Sequence, residues 1–215
     1  MELLLVRHAL PVSVDNTATG EEADPVLSDL GWRQSAALAD WLTGALPGGP
    51  PAEAVDVVYA STRARARQTA EPLAERLGMQ VRIEPGLDEY DSGESAYIPV
   101  EELKATDDPR WHELVSDGGI ADSETFSAQV VAGVDRIIAA HPGRRVVAFC
   151  HGGTIGAYAS HLLGIDRVLF FEATYTSVNR IMAASTGERS LISLNETAHL
   201  RVTRVPVYKP GGSTA

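Results

Sequence analysis

Short apolar runs alternate with amphipathic stretches along the chain. Glu2–Val6 holds three leucines and a valine in succession. That run is too short for an ordinary helix and suits a strand covered on both faces. A polar, glycine-containing loop is expected from Ala9 to about Val26. Ser28 reads as a helix N-cap, and Leu30, Ala37, Leu38, Trp41 and Leu42 fall on one helical face. Gly44 and Pro47 end that helix. Val55–Ala60 reads as the second buried strand, and a helix is predicted from about Arg63 to Leu77, stopped by Gly78. Met79–Ile83 reads as a third, shorter strand.

The rhythm breaks over Glu84–Asp122, which is rich in Pro, Gly, Asp, Glu and Ser. It is expected to form loops and short helices over one end of the sheet, an inserted cap over the active site. Regular structure resumes with a helix near Thr125–Ala140, capped by Ser123 or Asp122. Arg145–Cys150 is a strongly apolar strand, His-Gly-Gly follows, and a helix is predicted from Thr154 to Leu163. Val178–Ala184 and Ser190–Asn195 read as the last strands, paired at a sheet edge, and 206–215 as a loose tail. The alternation predicts one α/β domain of three α/β/α layers around a mainly parallel sheet.

Composition narrows the function classes. The 215 residues are 44% hydrophobic and 22% charged, as in an ordinary globular protein, and need no metal or disulfide to fold. A single cysteine, Cys150, rules out an intramolecular disulfide. No apolar stretch approaches a membrane span and no signal peptide is recognisable, so the expectation is a cytoplasmic protein without membrane partners. The formal net charge of -11 argues against nucleic acid as a partner. An acidic chain that binds an anion must gather its positive charge locally.

Such a cluster is present. In sheets of this kind ligands bind beyond the carboxyl ends of the strands. Arg7-His8 follows the first strand, Ser61-Thr62-Arg63-Ala64-Arg65-Ala66-Arg67 follows the second, and His151-Gly152-Gly153 follows Arg145–Cys150. Histidines beside arginines repel a metal cation but suit a multiply charged oxyanion. A neutral imidazole held in line is a competent nucleophile toward phosphorus. Arg65 lies about 200° around a helix from Arg63 and Arg67, so it can face the site while those two face water. Cys150 reads as a small buried hydrophobe. His112, His141, His161 and His199 read as surface residues. Tyr90, Tyr97 and Trp111 either line a substrate mouth or pack the excursion, and the sequence leaves both open.

These segments resemble a known family. Leu5-Val6-Arg7-His8 resembles the opening signature of the histidine phosphatase superfamily, the phosphoglycerate mutase-like proteins. Arg65-Ala66-Arg67-Gln68-Thr69-Ala70, Leu87-Asp88-Glu89 and Phe149-Cys150-His151-Gly152-Gly153 resemble its later motifs in the family's order. Asp24-Pro25-Val26-Leu27-Ser28-Asp29-Leu30-Gly31 with Gln34 resembles its helix entry. The resemblance implies a metal-independent phosphomonoesterase without cofactors, acting on a small-molecule phosphate ester. It implies His8 as the nucleophile, Arg7, Arg65, His151 and the Gly152 amide as phosphate ligands, and Glu89 as general acid and base. Alternatives are a phosphoglycerate-type phosphomutase and a non-catalytic phosphate-binding or scaffolding protein. The chain departs from the pattern at Ala9, where the family has glycine, and at Tyr90-Asp91-Ser92-Gly93-Glu94, which is unlike the mutases. A methyl group at Ala9 is expected to narrow the pocket or shift the loop. A homodimer is the commonest soluble oligomer, and the sequence leaves that state open.

Overall fold

A computed structural model describes residues 1–116, 120 and 122–208. The chain runs β1 (Glu2–Arg7), β2 (Val14–Asp15), α1 (Asp29–Leu42), β3 (Val57–Ala60), α2 (Ala64–Leu77) and β4 (Val81–Ile83). A single 3₁₀ turn, Pro85–Leu87, leads into β5 (Ala96–Tyr97), α3 (Val100–Ala105) and α4 (Pro109–Ser116). Then come α5 (Ser123–Ala140), β6 (Arg145–Cys150), α6 (Gly152–Leu163), β7 (Val178–Ala183), β8 (Arg189–Glu196) and α7 (Ala198–Thr203). The main sheet has the order β4-β3-β6-β1-β7-β8. Its β4, β3, β6 and β1 are parallel, while β7 and β8 are antiparallel to their neighbours.

The alternation of side chains across a strand explains the three layers. Leu4, Val6, Val58, Ala60, Val147 and Phe149 point to one face, where they pack with Leu38, Leu42, Ala66 and Leu73 of α1 and α2. Leu3, Leu5, Val146, Ala148 and Cys150 point to the other, against Val130, Val134 and Ile137 of α5 and Ile155 and Tyr158 of α6. Central strands covered on both faces have no polar side, which is why their sequences read as continuous apolar runs. Among the described residues no helix is long and apolar enough to cross a membrane.

The element ends follow local chemistry. Ser28 caps α1 by accepting from the Gly31 amide at 3.1 Å. Asp122 caps α5 by accepting from the Thr125 amide. Gly78 ends α2 in the left-handed conformation, φ 62°, which costs a residue without Cβ little. The short α7 was not expected, and no side chain caps its start. The tail is less loose at its beginning than expected. Gln34 Nε2 donates to the Pro206 and Val207 carbonyls at 2.9 and 2.7 Å, and positions 209–215 lie outside the described residues.

Two details aim the sheet's carboxyl end. Arg7 pairs with Cys150 at the end of the β1–β6 ladder, and the His8 amide donates to the Cys150 carbonyl at 2.9 Å. His8 and His151 therefore leave the sheet side by side. On the other side, Gly86 in the 3₁₀ turn touches Gly133 in α5. A Cβ built on Gly133 would stand 2.8 Å from the Gly86 Cα. That contact sets the start of the segment carrying Glu89. We expect Gly133→Ala to push the turn off α5 and destabilise the fold by about 1–3 kcal/mol, as overpacking does. A urea-unfolding midpoint equal to that of the parent protein contradicts this.

Candidate active site

The carboxyl ends of β1, β3 and β6 open onto a cavity of about 980 Å³, which Arg7, His8, Arg65, Glu89, Gly152 and Gly153 help to line. His151 is fully buried just behind it, its ring 5.1 Å from the His8 ring, centroid to centroid. The expected site residues thus converge from four separate segments.

His8 is 2% exposed. Its Nδ1 lies 2.8 Å from the Ala9 carbonyl. A carbonyl only accepts, so Nδ1 carries the proton and Nε2 keeps a lone pair. Burial, then the Arg65 and Arg7 charges, push the His8 pKa well down, so the ring is neutral at pH 7. Several bonds fix the backbone around it. The Ala9 amide donates to Thr69 Oγ1 at 2.9 Å, and the Leu10 amide donates to Gln34 Oε1 at 2.9 Å. The Thr176 amide donates to the Arg7 carbonyl at 3.0 Å. Thr176 itself holds φ 56°, an uncommon conformation for a β-branched residue. Gly31 approaches the Leu10 carbonyl so closely that a Cβ there would stand 2.1 Å from its oxygen. Ala9 is fully buried and does not line the cavity, so the methyl group does not narrow it.

The arginines are buried, and each is held by groups from elsewhere in the chain. Arg7 Nη1 donates to the Ala173 carbonyl at 2.6 Å and to Glu101 at 3.2 Å, and its guanidinium stacks 3.9 Å over the Tyr175 ring. Glu101 also accepts from the Tyr175 hydroxyl at 2.5 Å. Arg65 is 1% exposed, donates to Asp91 at 3.1 Å and lies 4.5 Å over the Tyr97 ring. Arg63 departs from expectation. It precedes α2 rather than lying on its wet face and is 7% exposed. It pairs with Glu22 and donates to the Ala23 carbonyl at 2.9 Å. Those two groups lie in the loop between β2 and α1, which helical periodicity does not reach. Arg67 is exposed, as expected.

Among the described residues, Arg7 Nε, Arg65 Nε and His151 Nδ1 are buried at or behind the cavity without a hydrogen-bond partner. Buried polar atoms are ordinarily satisfied, so unmet ones in one pocket mark a place for a ligand. The other His151 nitrogen, Nε2, bonds to Ser61 Oγ at 2.8 Å. Burial, then Arg65 and His8, lower the His151 pKa well below its usual value.

Glu89 accepts from the Gly153 amide at 2.8 Å and the Tyr90 amide at 3.2 Å. A Cβ on Gly153 would lie 2.3 Å from Glu89 Oε1, so only glycine admits this approach. Burial, then the nearby Asp91, push the Glu89 carboxyl up to about 7. Asp88 turns away and accepts from the Thr62 amide and hydroxyl at 2.7 Å each, tying this segment to β3. Tyr90, Tyr97 and Trp111 all line the cavity. Cys150 is buried and far up from its usual pKa, chiefly through burial. His199 was expected at the surface but is 1% exposed, with its Nε2 2.9 Å from Thr176 Oγ1.

The sequence reading missed Thr69, Asp91, Glu101, Tyr175 and Thr176 as partners of the site. Thr69 alone left a signal, because it lies one helical turn after Arg65 and on the same face. The Asp91 and Glu101 contacts depend on how a polar, irregular segment folds back, which no periodicity encodes. Among the described residues no cluster of His, Cys, Asp and Glu is arranged to hold a metal ion.

The chain is similar to known proteins along nearly its whole length. The family model of the histidine phosphatase superfamily (branch 1) matches residues 3–197. Phosphoserine phosphatase 1 of Hydrogenobacter thermophilus is 28% identical over 219 residues, covering 97% of this chain and 99% of the relative. The fold is similar to a mutant phosphoserine phosphatase from Entamoeba histolytica in complex with phosphoserine. That likeness has a TM-score of 0.67 at 21% identity over 93% of this chain and 98% of the other. It is also similar to mycobacterial glucosyl-3-phosphoglycerate phosphatase with VO3, with a TM-score of 0.68 at 20% identity over 91% and 99%.

The raised Glu89 pKa has a consequence for stability. An acid whose folded pKa exceeds its unfolded value binds more protons when folded, so stability falls as pH rises between the two values. For Glu89 that window runs from the ordinary 4.5 to about 7. Glu89→Gln, which mimics the neutral acid, is expected to raise the melting temperature at pH 8 and to match the parent at pH 4. Equal melting temperatures at both pH values contradict the buried-acid assignment.

Proposed function

Because the chain belongs to the histidine phosphatase superfamily, we propose that it hydrolyses phosphate monoesters through a phosphohistidine on His8, without metal. One observation carries this reading. The His8 imidazole is pinned through Nδ1 to the Ala9 carbonyl beside a cavity lined by Arg7 and Arg65, whose Nε atoms are buried and unmet, with the unmet Nδ1 of His151 buried behind it.

In this reading His8 Nε2 attacks phosphorus in line, and the P–N bond forms as the ester P–O bond breaks. Arg7, Arg65, His151 and the Gly152 amide bind the non-bridging oxygens, where charge collects in transfer. Protonated Glu89 gives its proton to the leaving oxygen. Its carboxylate then takes a proton from water, the water oxygen attacks phosphorus, and the P–N bond breaks to free His8 and inorganic phosphate. A carboxyl near 7 is suited to both halves of this cycle. The excursion over 84–122 serves as the cap that shelters the phosphohistidine.

His8→Ala is expected to keep the fold and lose roughly a thousandfold or more of the turnover of an aryl phosphate. Unchanged turnover contradicts the nucleophile assignment. Acid-quenched enzyme given ³²P-labelled ester should carry label on His8. With an ester but no bisphosphate primer, inorganic phosphate should accumulate; retention of the phosphoryl group instead marks a mutase. Glu89→Gln should lower kcat by about 10²–10⁴. The parent's kcat/KM should fall as pH rises through about 7, where the acid loses its proton, and the variant should lack that limb. Activity should survive a chelator; loss that zinc or magnesium restores contradicts the metal-free mechanism.

A further inference from the structure

The cavity beyond the arginines is what a leaving group would meet, and much of its wall is apolar. Tyr97, Ile98, Leu103 and Trp111 line it from the excursion, and Leu169 and Phe171 from the segment after α6. At about 980 Å³ it is at the large end of small-molecule sites.

Several of its charged groups are already engaged in ion pairs. Beyond Arg7 and Arg65, the described lining side chains include two further cations, Arg110 and Arg167, and both are exposed at the surface. Arg110 is already bound in a fork by Asp108, at 2.8 and 2.7 Å. Nearby Lys104 pairs with Glu172 and sits 4.4 Å over the Trp111 ring. The cavity is also lined by Asp91, Glu113 and Glu172 as well as Glu89. Asp91 is held by Arg65 and Glu172 by Lys104, so a charged leaving group, whether the carboxylate of 3-phosphoglycerate or the ammonium and carboxylate of phosphoserine, would have to compete with these ion pairs. A neutral aromatic or branched aliphatic group would instead bury apolar surface against the tyrosine, tryptophan and phenylalanine rings.

Resting on the phosphatase reading, we infer that the substrate is a phosphomonoester with a bulky, uncharged, apolar leaving group. The segment over 96–111 and the residues 169–171 select it, and the phosphate clamp does not.

The test compares kcat/KM for 2-phenylethyl phosphate, O-phosphoserine and 3-phosphoglycerate. All three have alkyl leaving oxygens, so intrinsic reactivity does not set the ranking. The phenylethyl ester should be favoured by about a hundredfold over either carboxylated ester. Trp111→Ala and Phe171→Ala should each cost about tenfold on the phenylethyl ester and much less on phosphoserine, so that the ratio narrows. Equal or better turnover of a carboxylated ester overturns the inference and leaves the phosphatase reading standing. So does an equal loss on all three esters in both variants. Failure to release phosphate from any ester overturns both.

Discussion

Everything at the carboxyl end of this sheet is organised by the cost of burying guanidinium groups. Arg7, Arg63 and Arg65 are each at most 7% exposed. A buried cation that lacks partners is strongly destabilising, so each must recruit an acid or a carbonyl. Arg7 draws in Glu101 and the Ala173 carbonyl, Arg63 draws in Glu22 and the Ala23 carbonyl, and Arg65 draws in Asp91. These partners lie outside the main layers: in the loop between β2 and α1, in the excursion after β4, where Glu101 sits on α3, and in the segment after α6. Electrostatics at the site thus adds to the apolar contacts of Leu87, Val168 and Ala173 in holding these segments. The acidic composition has a structural use here, because it supplies the counter-charges.

The same arrangement leaves reactive capacity unspent. The counter-ions engage the Nη ends of Arg7 and Arg65, while the Nε atoms stay unpaired beside His151 Nδ1. His8 is held in one tautomer by its own neighbour's carbonyl, and its backbone is held by Thr69, Gln34 and Thr176. Such fixed geometry is what in-line transfer needs, because reorganisation at the moment of reaction is avoided. Glu89 can approach α6 only because Gly153 has no side chain; burial and Asp91 raise its pKa, and the Gly153 amide that this approach engages works against them. One missing methyl group therefore sets the position of this carboxyl.

The core and the polar rim have different tolerances. The layers rest on many interchangeable apolar contacts, whereas the site rests on a few backbone approaches, such as Gly31 to Leu10 and Gly86 to Gly133. A chain can drift far in sequence while keeping the first. A relative at 28% identity, and solved structures of similar fold at 20–21%, still cover almost the whole chain.

Periodicity alone determined the sheet and its main helices, because an apolar run between breakers has one stable use when both faces of the sheet are covered. Arg145–Cys150 was legible to the residue, and Arg7, His8, Arg65 and His151 could be assigned to one rim because parallel strands end on the same side. Tertiary structure decided the rest. The burial of Arg63 and His199, the counter-ions Asp91 and Glu101, and the apolar walls of the cavity depend on contacts between segments far apart in the chain. Such contacts leave no local trace, since a charged residue in an irregular segment looks the same in sequence whether it ends in water or against a buried arginine.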